Sequence, residues 1–133
     1  MRFDRAWFEA LAPALAADPL YARVSSHLTA RLLFEADGWS SLVRLERGRI
    51  AEVQAPPPLM AAWDFAFRGD ELAWDDLLAP VPPPRCQSVF ALAKAGRMRL
   101  DGNWLVLMQN LWAVTCLLAL MRAHEAGVSG AAV

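Results

Sequence analysis

A chain of 133 residues fits one domain and is long enough to bury a core. Its hydrophobic fraction of 56%, with six tryptophans and six phenylalanines, exceeds the roughly 45–50% usual in soluble proteins. Net charge is −1 and the only lysine is Lys94, so no basic field draws nucleic acid or an anionic membrane, and neither is expected as a partner.

Residues Phe3 to Ala17 read as a helix, with Phe3, Trp7, Leu11, Ala14 and Leu15 at helical spacing and Pro13 a point where it kinks or ends early. Asp18-Pro19 marks a turn into a short helical stretch ending at Ser25. From His27 to Ala36 the pattern alternates, with Leu28, Ala30, Leu32, Phe34 and Ala36 on one face and Leu33 as the exception. Asp37-Gly38 turns the chain into a return strand, Ser41 to Arg47, and Arg47-Gly48 turns it again into Ile50 to Ala55. Pro56-Pro57-Pro58 stops that strand, since proline cannot donate to a ladder. A fourth strand, Ala62 to Arg68, places Trp63, Phe65 and Phe67 on one face and continues the meander.

The period then switches from two to 3.6. Asp70 caps a helix with Leu72, Trp74, Leu77 and Leu78 on its apolar side. The proline-dense stretch from Pro80 to Pro84 is an extended connector. A second short helix spans Arg85 to Ala95, with Cys86, Val89, Phe90 and Ala93 on one face and Gly96 as its C-terminal cap. Arg97 to Asp101 is a last strand, and Asn103 caps a final helix that closes at Arg122, His124 and Gly127. Helices segregated from strands in this way indicate an α+β fold, a five-stranded, largely antiparallel sheet covered by helices.

No residue between Asp101 and Arg122 is charged, and Trp104 to Met121 has the length of a bilayer span. Gln109, Asn110 and Thr115 interrupt it, and the first two would both need partners in hydrocarbon, so a buried or interface-forming helix is expected rather than a membrane span. Packing on a sheet needs one apolar stripe, which Trp104, Leu107, Leu111, Val114 and Leu118 supply. Leu105, Met108, Trp112, Cys116 and Leu120 remain for a ligand, a twin subunit or a partner enzyme.

Residues for chemistry are few. His27 and His124 stand apart at a strand start and a helix end, without a spaced metal partner. Asp75 and Asp76 are adjacent on a helix and point about 100° apart, which rules out a shared proton. There is no phosphate loop, metal-ligand spacing or nucleophile elbow, so no catalytic residue, cofactor or metal is expected. Arg44, Arg47 and Arg49 cluster near a hairpin, offset by Glu46 and Glu52. Cys86 and Cys116 suit a reducing compartment, and the N-terminus lacks a signal peptide's apolar core, so a cytoplasmic location is expected.

The stretch from Leu28 to Arg122 resembles the lipid-binding domain of the type-two sterol carrier proteins. The likeness rests on the Asp37-Gly38 and Arg47-Gly48 turns, on Trp63-Asp64-Phe65-Ala66-Phe67-Arg68-Gly69-Asp70-Glu71-Leu72-Ala73-Trp74, and on Ala95-Gly96-Arg97-Met98-Arg99-Leu100-Asp101-Gly102-Asn103. It is similar also to the C-terminal domain of alkyl sulfatases and to lipid-binding accessory factors of ubiquinone synthesis. The resemblance implies a sterol-carrier-like domain over residues 27–127, behind an N-terminal helical segment of residues 1–26. It also implies an apolar tunnel for a fatty acyl, isoprenoid or sterol-like chain, in a carrier or accessory protein that is not an enzyme. The residues placed to line it are Leu32, Phe34, Trp63, Phe65, Phe67, Trp74, Phe90, Leu107, Leu111 and Trp112. The extra N-terminal helix and the lack of a peroxisomal terminus depart from the eukaryotic carriers and weigh against sterol as the ligand. The alternative is an interaction or dimerisation subunit that uses the apolar C-terminal helix.

Overall fold

The computed structural model describes residues 2–84 and 87–131, the side chains of 128–131 excepted. Alternation in the first half of the chain builds β1 (Ala30–Ala36), β2 (Trp39–Glu46) and β3 (Arg49–Gln54) as two hairpins. At their turns Gly38 and Gly48 take φ of +75° and +81°, which favours glycine over any residue with a Cβ. β4 (Phe65–Gly69) does not continue this meander. It lies on the far side of β1 and pairs with it in parallel, Leu32 beside Phe65 and Phe34 beside Phe67. β5 (Met98–Gly102) runs antiparallel to β4 and completes the order β3-β2-β1-β4-β5. The sheet is therefore mixed but mostly antiparallel. A parallel pair needs a crossover rather than a tight turn, and the segment after the three prolines supplies it.

The helices are α1 (Arg5–Ala17), α2 (Pro19–Val24), α3 (Glu71–Leu77), α4 (Val89–Lys94), α5 (Trp104–Gln109) and α6 (Leu111–Ala131). Side chains of Asp4, Asp18, Asp70, Ser88 and Asn103 accept backbone N–H groups at five of their starts, satisfying donors a helix leaves open. Pro13 does not end α1; Leu11 and Leu15 are buried on either side of it and hold the helix through. The helix before β5 starts at Val89, and the expected start at Arg85, with Cys86, lies outside the described residues.

The long C-terminal helix expected from Asn103 onward is broken in two at Asn110. The Asn110 side chain donates to the Val106 carbonyl at 3.0 Å, and its backbone N–H reaches Val106 and Leu107. Asparagine competes in this way with helix continuation. The second piece runs through Gly127 to Ala131, beyond the expected close. No helix among the described residues is long and apolar enough to cross a membrane.

One face of the sheet carries Leu32, Phe34, Val43, Leu45, Phe65 and Phe67 into a core shared with α1, α3 and α6. The other is mostly polar: Arg68 is ion-paired with Glu35 and, at 3.1 Å, with Asp101. Its one apolar spot is Leu33, Leu42 and Ala66, with Ala61 and Trp63 packed on it.

Candidate functional site

Six of the ten expected lining residues, Leu32, Phe34, Phe65, Phe67, Trp74 and Leu107, meet in the main core. Register explains the strand residues. Phe34 and Phe67 are direct neighbours across the parallel pair, and their rings stack at 5.4 Å. Trp74 reaches them from α3, its indole N–H donating to the Glu35 carbonyl at 2.8 Å.

Trp63 is not with them, although alternation assigned it to the same face. Asp64 makes a bend before β4 begins: its backbone N–H donates to the Arg31 carbonyl and its carboxylate accepts the Arg31 N–H at 2.7 Å. Alternation therefore starts at Phe65, and Trp63 lies on the opposite face with Arg68 over its ring at 5.4 Å. Phe90 sits half-buried at the core's edge, lining a groove of about 110 Å³ with Leu77, Val114 and Leu118.

Leu111 and Trp112 point outward. The break at Asn110 turns Ala113, Val114, Leu117 and Met121 inward instead, leaving a patch that is apolar and uncharged. Trp104 is 47% exposed, Leu105 64%, Met108 47%, Leu111 37% and Trp112 66%. Both predicted stripes contribute to it. Trp104 joins this surface to the interior, standing edge-on to the buried Phe65 at 5.1 Å.

A second concavity, a half-open cleft of about 760 Å³, lies between the end of α1, α2 and the β2–β3 hairpin. Leu15, Tyr21 and Ala51 line it with His27, Glu46, Arg47 and Arg49. Burial pushes the Tyr21 hydroxyl up to about 12, so it stays a donor, bonding the Gly48 carbonyl at 2.6 Å. Glu46 is paired with Arg44 at 3.6 Å, whereas Arg47 and Arg49 make no ion pair among the described residues. In the sequence these arginines stand out as a hairpin cluster; that α2 would wall them into a cleft has no local signal.

Sequence reasoning also missed what the N-terminus does. Phe3 stands edge-on to Trp74 at 4.8 Å and to Trp7 at 5.2 Å, and lies within 6 Å of Phe8, Phe34 and Trp39. Arg2 beside it meets Asp75 at 2.7 Å, Glu125 at 3.2 Å and Glu71 at 3.4 Å. Burial lowers the guanidinium's pKa, but the bonds to Asp75 and Glu125 outweigh it and the net direction is up. Trp7 in the same cluster has a buried indole N–H with no acceptor among the described residues, a shortfall worth about 1–3 kcal/mol. No group of three or more His, Cys, Asp or Glu suited to a metal ion occurs among the described residues.

Against known proteins, no protein-family model and no curated protein matches the chain. Solved structures do. A crystal structure of sterol carrier protein 2 superposes with a TM-score of 0.73 at 20% identity, over 92% of this chain and 98% of that one. A conserved hypothetical protein from Thermus thermophilus gives 0.72 at 19% identity, over 93% and 90%. A ubiquinone synthesis protein, UbiJ-SCP2, gives 0.57 at 19% identity, over 83% and 90%. The chain has the α+β fold of sterol carrier protein 2.

Proposed function

We propose that this chain binds an apolar ligand (a fatty acyl, isoprenoid or sterol-like chain) without catalysing a reaction, as a small carrier or accessory protein. The observation that carries this reading is the uncharged apolar surface of α5 and early α6, joined through Trp104 to the buried aromatic core. A fold held in common with sterol carrier protein 2 supports it; fold alone does not set function. The cleft beside α2 offers an anionic head group two arginines without ion-pair partners among the described residues. Delipidated protein titrated with cis-parinaric acid, a fluorescent fatty acid, tests the reading directly. Binding at micromolar affinity or better is expected, about −8 kcal/mol or stronger; a folded protein that takes up no long-chain probe sinks it.

A second reading, an interaction subunit docking through the same helices, is favoured by the outward direction of Trp112 and Leu105. Trp112→Glu separates the two. Because the ring is exposed, stability is expected to change by no more than about 0.5 kcal/mol. On the ligand reading, probe affinity falls about tenfold, 1.4 kcal/mol, and the mass by light scattering is unchanged. A fall in mass with probe affinity intact favours the interaction subunit.

A further inference from the structure

We infer that residues 2 and 3 form a tethered plug in an interior apolar site, and that its withdrawal admits an apolar group about the size of a phenyl ring. The inference builds on the ligand-binding reading and names the place where such a ligand would enter the core.

Phe3 belongs to no helix or strand, yet its side chain is wholly buried. The rings around it come from other parts of the chain: Trp7 and Phe8 on α1, Phe34 on β1, Trp39 on β2 and Trp74 on α3. Phe34 and Phe67 are held by strand register; Phe3 is held by one short piece of chain. Its φ is +66°, the left-handed region in which a bulky side chain is an outlier. Strain of this kind persists only where the surroundings over-determine it, and it clusters at ligand clamps and switches.

The fastening lies mostly outside the core. Arg2, its side chain 14% exposed, spans Glu71 and Asp75 on α3, 43% and 54% exposed, and Glu125 on α6, 17% exposed. The two α3 carboxylates meet water and grip weakly and reversibly; the pair with Glu125 is the firmer part of the latch. Inside, the fastening is the Ser41 hydroxyl, which donates to the Phe3 carbonyl. A ring lodged among five others and latched by a half-buried arginine can leave without unwinding any element. A ligand that needs the site then binds with an apparent affinity reduced by the fraction of molecules in which the plug is out. Loosening the latch raises that fraction.

The test compares the wild type with Arg2→Ala and Phe3→Ala, using cis-parinaric acid and, separately, benzene. Both variants are expected to bind the fatty acid about tenfold more tightly than the wild type. Phe3→Ala alone is expected to take up benzene, as dry apolar cavities do, seen as a benzene-dependent rise in Tm. Where the wild type binds the fatty acid, folded variants with that same affinity overturn the plug. If Phe3→Ala does not fold, Arg2→Ala decides, because it leaves every core ring in place; unchanged affinity there overturns the plug. Should none of the three proteins bind the fatty acid, the carrier reading falls, while benzene uptake by Phe3→Ala still supports the plugged site. A folded Phe3→Ala that takes neither probe overturns it.

Discussion

Trp74→Ala is expected to destabilise the protein by about 3–5 kcal/mol, lowering Tm by roughly 10–20 °C for a chain of this size. The ring is wholly buried, packing edge-on to Phe3 at 4.8 Å and tilted to Phe34 at 6.0 Å. It also satisfies the Glu35 carbonyl of β1, which truncation leaves without that donor. α3 is only seven residues long, too short to persist without tertiary contacts, so the ring does much to hold it on the sheet. Glu71 and Asp75, which grip Arg2, lie on the same helix and would move with it. Trp74→Phe keeps a ring but loses the N–H donor, and is expected to cost about 1–2 kcal/mol. Urea titration of the two variants measures both; an alanine variant within about 1 kcal/mol of wild type would show the core loosely packed here.

Much of the fold was legible because it is written in short-range pattern. The Asp37-Gly38 and Arg47-Gly48 turns, the caps at Asp70 and Asn103, and the change of period after Arg68 each depend on a few neighbouring residues, and each lies where expected. The misreadings share a different cause. That β4 pairs in parallel with β1 depends on a partner about thirty residues upstream, and alternation shows that a strand has faces without naming its neighbour. Trp63 was misassigned because Asp64 spends its hydrogen bonds on Arg31 and bends the chain. Leu33, the exception in β1, makes sense only once Leu42 and Ala66 are beside it on the outer face.

The candidate site was legible in part, for the same reason. Leu32, Phe34, Phe65 and Phe67 alternate on strands, so their common burial followed from period alone. For the final helix, an uncharged run gave no polar face from which to fix rotation. The break at Asn110 then set which residues face water, and brought members of both expected stripes into one exposed patch. Phe3 read as the first turn of a helix, whereas Asp4 caps α1 after it and leaves Phe3 outside. Its place among five rings comes from four separate stretches of chain.

Gly102→Ala is expected to cost more than about 4 kcal/mol or to prevent folding. Gly102 has φ of +126°, and a Cβ there would stand 2.4 Å from the Asp64 carbonyl oxygen and 2.9 Å from the Phe65 Cα. Both are backbone atoms, so no side chain can move aside. Gly102 faces Phe65 across the β4–β5 pair, and the next residue, Asn103, donates its N–H to that same Asp64 carbonyl at 2.8 Å. Relieving the clash means parting β5 from β4 and shifting the cap of α5, which carries Trp104 and Leu105. Gly96→Ala is the control. Its φ of +75° is also left-handed, but nothing lies within 4 Å of the added atom, so only the conformational cost remains, about 1–2 kcal/mol. A large gap between the two variants in urea titration is the expected result. Equal losses would mean that backbone conformation, and not the close approach of β5 to β4, makes glycine necessary at position 102.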